Sequence, residues 1–148
     1  MHTDETLHIL IVDKSNDDAN RFISILRSAD FKVDAKLASN EEELQKYISM
    51  RNWDLLLAAQ NYEKIPTKNI FQRIRRAERD VPVILISAEY DPQTLIEGLR
   101  LGAADVVVED QDQHLIKVVE RSLTAVYERR QSREWERKLS VAEKRSQH

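Results

Sequence analysis

Four apolar runs in this 148-residue chain end on or beside residues at which chemistry could be done. HILIVDK closes on Asp13 and Lys14, WDLLLAAQNYE on Ala59, VPVILISAE on Ser87, and DVVVEDQ on Glu109 and Asp110. A hard divalent ion such as Mg²⁺ needs several carboxylate oxygens, and an ammonium, Lys14, stands directly beside the first acid. No metal site is expected. The Ala59 methyl can neither attack phosphorus nor bind a cation. Ser87, with no histidine base near it in the sequence, reads as a satisfied strand-end hydroxyl rather than a nucleophile. Asp17 and Asp18 suit the positive end of a helix dipole better than a metal. With only Gly98 and Gly102, the chain has no GxGxxG or P-loop to cradle phosphates, and with no cysteine it has no thiol, disulfide or Cys-based zinc site. No cofactor and no catalytic residue are therefore expected.

These positions are set by an alternation of short apolar runs and helical periods. HILIVD reads as a strand buried on both faces, and after it Ser15 and Asn16 can cap a helix carrying Ala19, Phe22, Ile23, Leu26 and Ala29. FKVDAKLA alternates like a second strand, and SNEEELQKYISM comes after it, with Ser39 and Glu42 spaced as a capping box. DLLLAA, a helix near 67–79, VPVILIS, a helix from Asp91 and Pro92 to Gly102, and DVVV complete the series. Trp53 is expected to plug the entrance to the third strand. Five β-α units in a chain of this length imply a doubly wound parallel α/β sheet with right-handed crossovers.

From Asp112 onward there is neither Gly nor Pro, and one long helix is expected. Leu115, Val118, Val119, Ser122, Leu123 and Val126 give its first half a face for the sheet. Past Tyr127 only Trp135, Leu139 and Ala142 are apolar at helical spacing. They could form a short seam for a partner helix, or the segment could be a solvated tail. The expected division is a globular unit over residues 1–127 and a protruding helix over 128–148.

The element order, with ILIVD at the first strand end, PVILISA at the fourth and LGAADVVV at the fifth, resembles the receiver domains of two-component response regulators over about residues 7–127. The resemblance implies a flavodoxin-like sheet of order 2-1-3-4-5. It also implies an acidic pair that holds Mg²⁺, a phosphoacceptor aspartate after the third strand, a Ser or Thr after the fourth and a Lys after the fifth. Matched residue by residue, these positions are Asp13 and Lys14, then Ala59, Ser87 and Glu109. Asp110 takes the place of the usual proline and Val106 that of the aromatic. The acceptor is missing and two charges are reversed, so a degenerate, non-phosphorylatable receiver is expected, and not an enzyme. Asp13, Lys14 and Glu109 could form an internal ion cluster where the metal and lysine would lie, or they could simply be solvated.

The resemblance further implies an interaction surface on the fourth helix, fifth strand and fifth helix, which here includes Leu95, Leu99, Arg100, Asp105, Val107, Lys117 and Arg121. A homodimer is expected, with protein partners or a downstream domain. The C-terminal helix resembles the linker before PAS and GGDEF/EAL modules of cyclic-di-GMP signalling proteins. The alternative is a small-molecule sensor whose ligand, uncharged or cationic, enters the strand-end crevice. Basic residues of the last helix interleave with Glu128, Glu134, Glu136 and Glu143, and the net charge is -3, so nucleic-acid binding is not expected. No apolar run approaches the ~18 residues of a membrane span, and a soluble, cytoplasmic chain without membrane insertion is expected.

Overall fold

The computed structural model describes residues 5–146, with side chains described as far as Leu139. Its elements are β1 (Leu7–Val12), α1 (Asn16–Ser28), β2 (Val33–Ala38), α2 (Glu41–Met50), β3 (Leu55–Ala59), α3 (Thr67–Arg76), β4 (Val83–Ser87), α4 (Pro92–Leu101), β5 (Asp105–Val108) and α5 (Asp112–Ser146). The strands form one parallel sheet of order β2-β1-β3-β4-β5, the doubly wound topology expected from the sequence.

The central strands are apolar at consecutive positions because both faces of the sheet are covered. Ile9, Ile11, Leu55, Leu57, Ile84, Ile86 and Val107 point toward α1 and α5, where they meet Phe22, Leu26, Leu115, Val118 and Val119. Leu10, Val12, Leu56, Ala58, Val83, Leu85 and Val106 point toward the other layer, where they meet Leu44, Ile48, Ile70, Phe71 and Ile74 of α2 and α3. Each large side chain buried in this way stabilises the fold by about 1.5–3 kcal/mol before the entropy of ordering is counted. Trp53 is 4 % exposed and donates its indole N–H to the Tyr47 carbonyl at 2.7 Å, which closes the entrance to β3. Gly98 lets α4 sit close to the sheet, since a Cβ there would lie 2.8 Å from both Leu85 and Val106. Asp91 caps α4 through the Gln93 N–H, and Gly102 ends it at φ 112, as the sequence suggested.

Two local expectations are corrected. The cap of α2 is Asn40, whose side chain accepts from the Glu43 N–H at 2.8 Å, and Glu43 reaches back to Ser39, so the reciprocal pair lies one residue later than Ser39 and Glu42. Helix α3 stops at Arg76, because Glu78 takes a left-handed φ of 54 and turns the chain before residue 79.

Helix α5 is about 50 Å long, and its first half docks as its spacing predicts: Leu115, Val118, Val119, Ser122 and Val126 are all buried. Contact continues past Tyr127. Arg129 and Arg133 both bond to Asp80, just before β4, and Arg130 lies 3.8 Å from Asp54, just before β3. Residues 131–139 are exposed, including Trp135 and Leu139; the side chain of Ala142 lies outside the described residues. Burial would raise the Asp80 pKa, but the two guanidinium groups outweigh it and hold the carboxyl below its ordinary value. The contact is therefore in place above about pH 4 and is lost as pH falls through the lower folded value. Asp80→Asn is expected to lower the amide protection factors of residues 129–133 at neutral pH, with the parent chain losing the same protection only in acid.

Candidate functional site

The carboxyl ends of β1, β3 and β5 surround a crevice of about 490 Å³. Asp13, Lys14, Ala59 and Glu109 line it as expected, together with Asp18, Gln60, Tyr62 and Lys64. Asp13 is 4 % exposed, and its Oδ1 accepts the Lys14 backbone N–H at 2.6 Å. Burial pushes its pKa above the ordinary carboxylate value; the N–H groups of Lys14 and Ser15 pull it down, and the neighbouring Asp18 pushes it up again. No cation is bonded to Asp13 among the described residues. Across the crevice, Tyr62 donates its hydroxyl to the Ser39 carbonyl at 2.6 Å. Burial and the charges of Asp13 and Glu43 raise its pKa.

The raised pKa of Asp13 sets a sign for stability. The folded chain holds the proton more tightly than the unfolded one, so this contribution is present in acid and is lost as pH rises through the folded value. Asp13→Asn keeps an acceptor for the Lys14 N–H and removes the cost of a buried charge. Its melting temperature is expected to exceed the parent's at pH 7 and to match it near pH 4, which paired calorimetric scans would show.

The Asp13, Lys14 and Glu109 cluster does not form. Lys14 leaves the strand end exposed, and among the described residues its ammonium meets no carboxylate. Glu109 is instead held by Arg21 of α1, which donates to its carbonyl at 2.6 Å and lies 3.7 Å from Oε1 and 3.6 Å from Asp112. Arg21 also lies over the Phe22 ring at 5.1 Å. Arg21 thus takes the place beside Glu109 that was expected of Lys14, two residues past β1. Ser87 is 8 % exposed and donates its hydroxyl to the Glu89 carbonyl at 2.7 Å, so it is satisfied within the β4–α4 loop.

Several site residues were not legible as such. Asp18 faces the crevice as well as serving the helix start, and Arg21 lies one turn further on the same helix, with no spacing in the sequence that ties it to Glu109. Gln60 donates Nε2 to the Thr94 carbonyl at 2.7 Å and ties the end of β3 to α4; no sequence signal announces it. Of the residues expected on the α4, β5 and α5 surface, Leu99 is 45 % exposed and Arg100, Lys117 and Arg121 are exposed, with Leu95 half-buried. Asp105 is held by Arg121 at 2.7 Å, with His114 at 3.8 Å. Val107 is corrected: at 1 % exposure it belongs to the core under α1 and α5. Strand alternation sends its neighbour Val106 into the opposite core layer, so on a strand covered on both faces neither side chain is exposed.

A five-stranded parallel sheet of this order, with an acid-lined crevice at its strand ends, is the architecture of a signalling receiver. Residues 9–120 match the family model described as the response regulator receiver domain, and the chain belongs to that family. It is 32 % identical over 101 residues to the "Probable transcriptional regulator ycf27" of Cyanidium caldarium, a match that spans 68 % of this chain and 39 % of that protein. The chain thus covers about two-fifths of the length of that relative. Among solved structures, it is similar to a response regulator from Thermotoga maritima, at 24 % identity and TM-score 0.67, covering 81 % of this chain and 99 % of that one. It is also similar to the N-terminal domain of a response regulator/sensory box/GGDEF 3-domain protein from Carboxydothermus hydrogenoformans. There the identity is 25 % and the TM-score 0.67, covering 83 % of this chain and 98 % of that one. Among the described residues no three His, Cys, Asp or Glu side chains are grouped to hold a metal, and no helix is long and apolar enough to cross a membrane.

Proposed function

We propose that this receiver domain does not accept a phosphoryl group and acts instead as a protein-interaction, dimerisation or localisation module of bacterial signalling. One observation carries the reading: the end of β3, where the family holds its acceptor, is Ala59, whose methyl cannot attack phosphorus. Phosphoryl transfer needs a nucleophile together with neutralisation of the transferred charge. Glu109, at the position of the family's lysine, presents a carboxylate that Arg21 already engages. A crevice without an acceptor carries out no transfer, and the domain is read as a non-enzyme.

The exposed side chains of α4, β5 and α5 then serve as the contact surface, and the end of α5 serves as a rigid arm toward a partner helix or a downstream domain. Residues 1–127 form the receiver unit in this reading and 128–148 the arm, with Arg129, Arg130 and Arg133 fixing the angle at which it leaves. The likeness to the N-terminal domain of a response regulator/sensory box/GGDEF protein supports a sensory-box or GGDEF module as the downstream domain; we extend this to a PAS, GGDEF or EAL partner and a cytoplasmic role linked to cyclic-di-GMP. A second reading, ligand sensing in the crevice, is favoured by Asp13 and Asp18, which lie together there with no cation bonded to them among the described residues.

Intact-mass measurement of the full chain after incubation with acetyl phosphate and Mg²⁺ tests the main reading. An unchanged mass is expected, and a phosphoryl adduct would overturn it.

A further inference from the structure

A second and larger cavity, of about 700 Å³, opens between the β4–α4 loop and the start of α5. Its floor is apolar, made by Ala88, Leu95, Val106 and Val108, and its rim carries Glu89, Asp91, Asp105 and Asp110. Two of these acids are already occupied. Asp91 caps α4 and accepts the Thr94 hydroxyl, and Asp105 is bonded to Arg121. Glu89 and Asp110 are exposed and have no cation among the described residues; Asp110 accepts only from the side chain of its neighbour Gln111, at 3.3 Å.

Apolar exposure continues beyond the cavity mouth. Tyr90, which itself lines the mouth, is 75 % exposed; outside it Ile96 is 47 % and Leu99 45 % exposed, and Leu99 lies one helical turn from the cavity residue Leu95. A free small cation would occupy only the acidic rim and leave the apolar floor, Ile96 and Leu99 in water. A polypeptide helix would cover them as well.

We infer that this cavity receives an arginine or lysine side chain of a partner protein's amphipathic helix. The aliphatic stem would lie on Leu95, Val106 and Val108, the charged head would sit between Glu89 and Asp110, and the helix's apolar positions would cover Ile96 and Leu99. The inference rests on reading this face as the interaction surface and adds the chemistry of the partner.

The test uses the full chain against a displayed library of randomised helical peptides about four turns long. Enriched peptides are expected to share one Arg or Lys with a Leu, Ile or Val three or four positions away. They are expected to bind Glu89→Gln/Asp110→Asn about tenfold or more weakly, a loss of about 1.4 kcal/mol or more. Both substituted residues are exposed, so the variant is expected to fold, and its circular dichroism and melting should match the parent's. In Val106→Phe the ring fills the floor and should weaken the same peptides.

Enrichment of acidic or neutral peptides, no enrichment, or equal binding to the double variant would overturn the inference. Free argininamide binding as tightly as the peptides would overturn it in favour of a small cation. A full-chain mass that halves in the double variant would overturn it in favour of a second copy of the chain. A phosphoryl adduct at the strand ends, by contrast, would sink the reading of the domain as non-phosphorylatable and leave peptide binding to be judged on its own result.

Discussion

Replacing Ala59 by aspartate is expected to make the stability of the domain depend on divalent cations. The new carboxylate would enter a crevice that already contains the buried Asp13 and, beside it, Asp18. Like charges in a partly desolvated space raise one another's pKa, and at neutral pH the folded state bears the cost. A penalty of about 1–3 kcal/mol is expected. For a chain of this length that lowers the melting temperature by roughly 3–10 °C. Two observations would separate this from simple misfit: millimolar Mg²⁺ should recover the loss by binding only the folded state, and acidification should recover it by protonating the carboxyls. Ala59→Asn, which has nearly the same shape and no charge, should show neither recovery. A metal-independent loss of equal size in both variants would mean that steric fit, rather than charge, governs the crevice.

Charging the exposed seam of α5 is the second large effect. Trp135 is 63 % and Leu139 46 % exposed, at a spacing of four that places them on one helix face. If they pair with a second copy, Trp135→Glu/Leu139→Glu should halve the mass measured by light scattering and leave the melting of the receiver unit unchanged, since neither residue touches the sheet. Stopping the chain after Tyr127 should also halve the mass, but it removes the contacts of Arg129, Arg130 and Arg133 as well, so a lower melting temperature is expected there. A dimer that survives both changes would move the interface to the globular surface.

How much of the molecule was legible in the sequence depends on how local each feature is. An apolar run that stops at a polar residue marks a buried parallel strand and its end, which is why Asp13, Ala59, Ser87 and Glu109 were all placed at one edge of the sheet. The i, i+3, i+4 recurrence from Leu115 to Val126 likewise fixed the docked face of α5. Boundaries set by a single backbone angle were less legible. Glu78 ends α3 in a left-handed conformation that usually selects glycine or asparagine, and nothing in its side chain signals this. Val107 was misplaced because surface membership in a covered strand changes with each residue, and the apolar run DVVV does not show which face is which. The pairing of Arg21 with Glu109 joins residues 88 positions apart and takes the place of the equally long-range pairing expected with Lys14. Such pairs depend on how far a side chain reaches across the finished fold, and spacing along the chain does not report that.

Beryllofluoride mimics a phosphoryl group bound to an aspartate, and its titration with Mg²⁺ against the full chain, monitored by backbone amide chemical shifts, tests most directly whether the domain has left phosphorylation behind. No saturable shift is expected at Asp13, Ala59, Ser87 or Glu109, and none along α4. A saturable shift of these amides, propagated to Leu95 and Leu99, would contradict it and mean that the crevice still binds and responds to phosphate.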